Sequence, residues 1–440
     1  MTRRRVAIIG AGFSGAAVAA NLMKRGAAAP DVVLIERGQR FGPGLAYGTR
    51  EPAHLLNVRA SNMSAFPDAP DHFAKWIGGA PTRFASRAKY GAYIEGIVRR
   101  ANGGWFGPKL RRVRDEAVAC ERNGEGWSIA LASGTRIDAD AVVLALGNSA
   151  PLAPPALVHL DLIDPWDERG LAVLPKGDVL LIGTGLTMID VALALSKRRK
   201  GVIYALSRRG LAPRAHLDAA KPAPPGAIDL PQNLSDALLT LRREAAAIAK
   251  RGEPWQFAID RLRTRTPELW RRLTLEQQQR FLRHLRPWWD VHRHRAAPEI
   301  VARVAALQKE GRLKVLAGEI MAATAGEGGV SIEYRPRGGP HRRRLVVAGV
   351  INCTGAALDP ALAQNGLTRQ LIDDGVVRAH PTRLGFDVDA DGRLLAANGA
   401  VHANLFALGP ITQGAFWEST AVPEIRVRAA AIAMMLAPGR

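Results

Sequence analysis

Two glycine-rich turns, each set between a short apolar strand and an apolar helix, predict an α/β chain built on two parallel-sheet units. The first reads Gly10-Ala11-Gly12-Phe13-Ser14-Gly15, with Glu36 closing the same unit. The second reads Gly183-Thr184-Gly185-Leu186-Thr187-Met188.

In the first unit, Arg5-Val6-Ala7-Ile8-Ile9 is short, apolar and β-branched, as a buried parallel strand should be. Gly10 makes the tight turn after it. Gly12 lets a pyrophosphate approach the backbone, and Gly15 lets the next helix pack close. That helix runs from Ser14 to Lys24, and its free N–H groups face the phosphates. The second strand is 31–36. Glu36 at its end can accept both hydroxyls of an adenosine ribose and would repel a phosphate there. Strand, helix and an acid about 20 residues on make this a Rossmann-like dinucleotide fingerprint suited to FAD or NAD.

The second unit repeats the design with two changes. Residues 178–182 form its first strand, and Gly183 and Gly185 take the first two glycine roles. Met188 stands where the third glycine would be, so this helix is expected to sit farther from its strand. The next strand, 202–206, ends in Ser207-Arg208-Arg209 rather than an acid. A hydroxyl and two guanidiniums suit a 2′-phosphate, which favours NADPH and leaves NADH possible.

At 440 residues the chain is too long for one core. Three segments are expected: 1–175 as the first part of the FAD-binding domain, 176–350 as the NAD(P)H-binding domain, and 351–440 as the FAD domain's return. A Trp- and Arg-rich helical insertion is expected at about 225–310. Residues 111–147 alternate around a Ser133-Gly134 turn, as a β-meander does. Val346 to Asn352 reads as one buried strand, Asn404 to Pro410 as another, and a final helix starts near Pro423.

No apolar run is long enough for a membrane span. The basic start Met1 to Arg5 runs straight into the first strand, so a cleaved leader would destroy the site, and a cytoplasmic protein is expected. Cys120 and Cys353 form no CxxC, which argues against dithiol chemistry. The net charge of +21 is spread along the chain and accompanies no nucleic-acid motif. No specific nucleic-acid partner is expected, and a homo-oligomer stays open.

Four further stretches carry a family resemblance: 42–48 (GPGLAYG), 54–64 (HLLNV with Met63-Ser64), 289–295 (WDVHRHR) and 417–425 (WESTAVPEI). With the two fingerprints, the chain resembles two-dinucleotide-binding-domain flavoproteins near the flavin-dependent N-hydroxylating monooxygenases. The resemblance implies a discontinuous FAD domain with the NAD(P) domain inserted. It puts the loop 42–64 beside the isoalloxazine, with Leu45, Asn57, Met63 and Ser64 as contacts. Arg37, Val118 and Gly147 join that FAD set, with Gly355 at a strand end near the cofactors. Gly409 would stand near the ribityl chain, although Pro410 replaces the acid that often follows. Thr420 can cap a helix with Pro423 in its first turn, leaving the N–H groups of Ala421 and Val422 toward the flavin.

In 288–295, a helix puts Asp290 beside His294 and Trp288 beside His292. His292 and Arg293 are the candidate catalytic residues, and a packed structural helix is the competing reading. No Cys/His/carboxylate set of metal-ligand type is present, so no metal is expected. The resemblance implies an FAD-dependent NADPH oxidoreductase. As a monooxygenase it would form a C4a-hydroperoxyflavin from molecular oxygen and hydroxylate a small amine or other heteroatom substrate. Two alternatives are a reductase feeding a quinone, small molecule or protein, and a redox-sensing flavoprotein that binds an acidic partner.

Overall fold

The computed structural model describes residues 3–101, 107–218 and 226–437. Met1, Thr2 and residue 225, where the insertion was expected to begin, lie outside the described residues.

The first sheet runs, edge to edge, Arg393–Leu395, Val401–Ala407, Ala141–Leu144, Arg5–Ile9, Asp31–Glu36 and Leu110–Arg114. All its pairings are parallel except the edge strand Arg393–Leu395. Alternation along each strand splits the side chains between two cores. Val6, Ile8, Val32, Leu34 and Val143 face the helices Phe13–Met23, Arg87–Arg100 and Val422–Leu436. Ala7, Ile9, Val33, Ile35 and Leu144 face a three-stranded sheet of Ala117–Asn123, Gly126–Leu131 and Arg136–Ala139. The helix Phe13–Met23 is buried on every side, which its alanines permit because they bring neighbours close. Ser133-Gly134 turns the chain between the second and third strands of the meander.

The second sheet runs Arg343–Val347, Gly329–Pro336, Leu313–Gly326, Ile203–Ser207, Val179–Ile182 and Gly349–Asn352. The same alternation sends Val179, Leu181, Ile203 and Ala205 to the helices Leu186–Ser196 and Pro298–Lys309. Leu180, Ile182 and Leu206 face the hairpin side.

Three expectations are corrected here. Val346 to Asn352 is two strands separated at Ala348, because Arg343–Val347 pairs antiparallel with the hairpin while Gly349–Asn352 returns parallel to Val179–Ile182. The boundary drawn at 350 falls inside that last strand, so the second sheet continues to Asn352. The helix Pro298–Lys309 buries Ile300, Val304 and Leu307 in the second core rather than in the insertion. The inserted helical unit is therefore Leu234–Lys250, Gln256–Leu262, Thr266–Arg272, Leu275–His284 and Arg286–Arg293. Asn233 caps the first of these helices, and a Thr274/Gln277 capping box opens the fourth.

A Cβ at Gly15 would overlap the carbonyl oxygen of Gly10. At Gly12 it would meet only the Cα of Gly44, at 3.5 Å. Gly15→Ala should therefore cost about 1–3 kcal/mol of overpacking, and Gly12→Ala much less. Thermal unfolding of the two variants checks this: equal midpoints would show that the helix does not depend on the Gly15 approach.

Candidate functional site

Both units use one construction at the strand end. Gly10 takes φ +96° and Gly183 φ +101°. A Cβ at Gly10 would collide with the Ala145 carbonyl, and one at Gly183 would lie 2.5 Å from the Cys353 oxygen. Beyond the neighbouring strands, which end at Leu144 and Asn352, the chain reaches Gly147 and Gly355, where an added Cβ would meet nothing within 4 Å. Gly12 and Gly185 begin the following helices without any side-chain cap. Their first N–H groups are left for an anionic ligand.

Around the first turn the residues fit a dinucleotide. Glu36 Oε2 accepts from the Ala11 N–H at 2.7 Å, and Oε1 accepts from the Gly38 N–H at 2.8 Å. Each carboxylate oxygen keeps a second lone-pair site for a ribose hydroxyl. Ser14 is buried, and a Cβ at Gly409 would lie 2.6 Å from its Oγ, so the 409 turn rests against this helix start. Val118 is the extra residue of a β-bulge between Ala117 and Ala119, which takes it out of ladder register and exposes it. Arg37 is exposed, 3.6 Å from Glu116. Leu45 is exposed on the short helix Gly44–Tyr47. Gly44, not among the expected contacts, packs its Cα over Gly12. The Gly42-Pro43-Gly44 run was the signal for it.

The 54–64 segment departs from the expectation. Met63 and Ser64 are buried, and the Ser64 hydroxyl is engaged with the Phe66 and Ala69 carbonyls. They shape the loop from within. The Asn57 carbonyl accepts from His216 Nε2 at 2.8 Å, tying this loop to the second unit. His54 and Arg87 make the same kind of link to Asp190. Arg87 pairs with the Asp190 carboxylate at 2.7 Å, and His54 Nε2 lies 3.2 Å from the Asp190 carbonyl.

At the second turn, Ser207 Oγ lies 2.8 Å from Thr184 Oγ1 and accepts from the Gly210 N–H at 3.0 Å. The hydroxyl thus holds the turn. Arg208 and Arg209 follow, exposed and half-buried, and neither enters an ion pair among the described residues. Thr187 is half-buried in the first turn of the helix Leu186–Ser196.

The C-terminal helix corrects the proposed cap. Its N-cap is Ala421, with no side-chain bond, and exposed Thr420 lies one residue outside. Pro423 sits in the first turn as expected, and the Ala421 N–H turns back to the Glu418 carbonyl at 3.4 Å. Just before it, Trp417 takes φ +54°, and Glu418 is buried.

Arg293 reaches that buried carboxylate: its Nη2 lies 2.6 Å from Glu418 Oε2. Burial holds the Arg293 guanidinium below its ordinary value. The expected catalytic pair is therefore split. Arg293 joins the helical unit to the segment before the C-terminal helix. His292 instead lines a cavity in the helical unit, with Nδ1 2.8 Å from the Trp288 carbonyl and its ring edge-on to Trp255. His294 pairs loosely with Asp290, at 3.8 Å, and burial with Arg293 beside it pushes it down to about 4.

The fold is that of the two-dinucleotide-binding-domain flavoproteins, and residues 7–149 match a family of FAD-NAD(P)-binding domains. Solved structures with this fold include ornithine hydroxylase from Pseudomonas aeruginosa (16% identity, TM-score 0.66, 99% of both chains). Ornithine N-hydroxylase from Kutzneria sp. 744 (13%, 0.68, 99% of both chains) is another. A cadaverine monooxygenase from Erwinia amylovora (10%, 0.68, 99% of this chain and 94% of that one) also shares it. Among curated proteins, a 4-hydroxybenzoate brominase (decarboxylating) from Marinomonas mediterranea is 26% identical over 227 residues, 48% of this chain and 40% of that protein. An FAD-binding monooxygenase from Aspergillus calidoustus is 27% identical over 221 residues, 44% of this chain and 33% of that one. The matches thus span less than half the length of these relatives.

Truncating Arg293 to Ala would leave Glu418 buried without its partner, a loss of roughly 3–5 kcal/mol. Chemical denaturation should show it, with part recovered in Arg293→Ala/Glu418→Gln. An unchanged midpoint would rule out the ion pair as a fastening.

A second expectation concerns pH. Burial, with Arg295 nearby, lowers His216 to about 4 from an ordinary 6.5. Between those values the unfolded chain binds more protons, so stability should fall as pH drops through this window. His294 adds to the same effect. Urea melts of wild type and His216→Gln at pH 7.5 and 5 should show a smaller acid loss in the variant, which retains a donor for Asn57.

Proposed function

We propose that the protein is an FAD-dependent, NADPH-oxidising monooxygenase that uses molecular oxygen to hydroxylate a small amine or other heteroatom substrate in the cytoplasm. The observation that carries this reading is the doubled glycine crossing, with Glu36 at one ribose position and Arg208 and Arg209 at the other. Gly10, Gly12, Gly15, Glu36 and the Val118 bulge would hold FAD. Gly183, Gly185, Thr187 and the two arginines would hold NADPH. Bound flavin would supply the hydride acceptor and the reaction with oxygen; the chain supplies orientation and electrostatics. The hydroxylases of the same fold support this reading, as does the curated monooxygenase. Both thiols are buried, and burial pushes Cys120 up to about 12, which disfavours a thiol–disulfide relay.

The deciding experiment mixes NADPH-reduced enzyme rapidly with oxygenated buffer. A long-lived absorbance distinct from both oxidised and reduced flavin supports monooxygenation. Direct return of the yellow spectrum in one fast phase would favour a reductase.

Cofactor choice has its own test. NADPH should reduce the flavin better than NADH. Arg208→Ala/Arg209→Ala should narrow the preference, since a hydrogen bond to a charged group contributes about 1.5–3 kcal/mol. Selectivity that survives the double change would place phosphate recognition elsewhere.

A further inference from the structure

The helical unit, with Trp417, lines a half-open cavity of about 700 Å³, within the range of small-molecule sites. Its walls include Trp255, Trp270, Trp288, Trp289, Phe281 and Trp417. Among the described lining residues there is no Asp or Glu, while Arg242, Arg272 and His292 supply the polar groups with basic character. Both arginines are exposed, which places them at the rim. Among the described residues the buried Trp289 indole N–H has no acceptor, whereas that of Trp270 donates to the Gly414 carbonyl at 2.6 Å. A buried donor of this kind leaves a place for an acceptor atom on a ligand. Trp417 closes one end of the cavity and directly precedes the segment 418–422 at the start of the C-terminal helix.

We propose that this cavity binds a small molecule with a flat apolar body, neutral or anionic at pH 7, and rejects cationic amines. Resting on the monooxygenase reading above, that molecule is the substrate. An ammonium group entering here would lose its hydration and find no carboxylate to replace it. An acidic or carbonyl head would meet Arg242 at the rim, with Arg272, which also lies 3.7 Å from Glu268, beside it, while aromatic faces take the body. The preferred amine is then one that is uncharged at neutral pH, such as an aromatic amine, in contrast to the diamine named for the Erwinia amylovora monooxygenase.

Two fluorescent naphthalene probes of opposite charge test this on the flavin-loaded protein. 8-Anilinonaphthalene-1-sulfonate should bind at one equivalent, and dansylcadaverine about tenfold more weakly or worse. Leu241→Trp, which fills the cavity, should abolish binding of the sulfonate. Arg242→Ala/Arg272→Ala, at exposed positions that do not threaten folding, should weaken the sulfonate several-fold and erase the charge preference. Equal or tighter dansylcadaverine binding overturns the proposal, as does sulfonate binding indifferent to the arginine change. Bleaching of the flavin by NADPH is followed on the same samples. Bleaching without charge-selective binding overturns the cavity alone. Binding without bleaching upholds the cavity and removes the substrate role.

Discussion

The constraint on which the nucleotide turns depend is the close approach of a glycine to the carbonyl just past the end of a neighbouring parallel strand, at Gly10 against Ala145 and at Gly183 against Cys353, where an added Cβ would collide. No side chain fits at either crossing. The strand must therefore end there, turn through positive φ, and begin a helix whose N–H groups are uncapped. Everything that makes the chain a nucleotide binder follows from that geometry. Gly147 and Gly355 follow the partner strands beyond it, Glu36 ends one of the next strands along and Arg208–Arg209 follow the other, and the 409 turn closes over Ser14. Two copies of one local solution explain why the chain suits two cofactors.

Much of this was legible in the sequence because backbone-level demands leave strong residue signals. Only glycine satisfies Gly10, Gly15 and Gly183, and only an alternating or fully apolar run satisfies a doubly covered strand. The sheets, their first helices and the helical insertion were readable for that reason. The roles of Met63, Ser64 and Arg293 were not. Their residue types suit a binding loop or a basic site equally well, and only tertiary packing shows that Ser64 is engaged within its own loop and that Arg293 meets Glu418, 125 positions away. The Thr420 cap failed for a simpler reason. A threonine before a helix satisfies the pattern, but the chain enters this helix one residue later, after the turn at Trp417. The bulge at Val118 carried no signal in residue type at all, since a bulge is a mismatch between two strands rather than a property of one.

The helical unit is tied down at polar points. Arg293–Glu418 and Arg263–Glu424 join it to the C-terminal segment, and Arg295–Asp260 braces it internally. Arg293–Glu418 is buried and the other two are partly so, and desolvation makes such pairs poor sources of net stability because it offsets most of their attraction. Their directional demand is of more use, since they fix the aromatic walls relative to the start of the C-terminal helix. Trp270 and Trp417 stack at 4.7 Å along that same seam, so the orientation of the cavity is coupled to the segment next to the first nucleotide unit.

The return of the chain to the first sheet has a consequence for biosynthesis. The strand Val401–Ala407 pairs with Ala141–Leu144, and the helix Val422–Leu436 covers the helix Phe13–Met23. The first sheet's earlier strands therefore emerge from the ribosome with one flank uncovered until residues 401–436 are made. The second sheet, drawn from Val179 to Asn352, is contiguous in sequence and can form meanwhile. Synthesis then imposes an order in which the inserted unit matures first and the flanking unit waits. During that interval its apolar strands are open to misassociation, and contacts of such long sequence separation are slow to form. A nascent chain stalled before Val401 would expose that flank, which makes synthesis of the strand Val401–Ala407 and the helix Val422–Leu436 the step that completes the first sheet's cover.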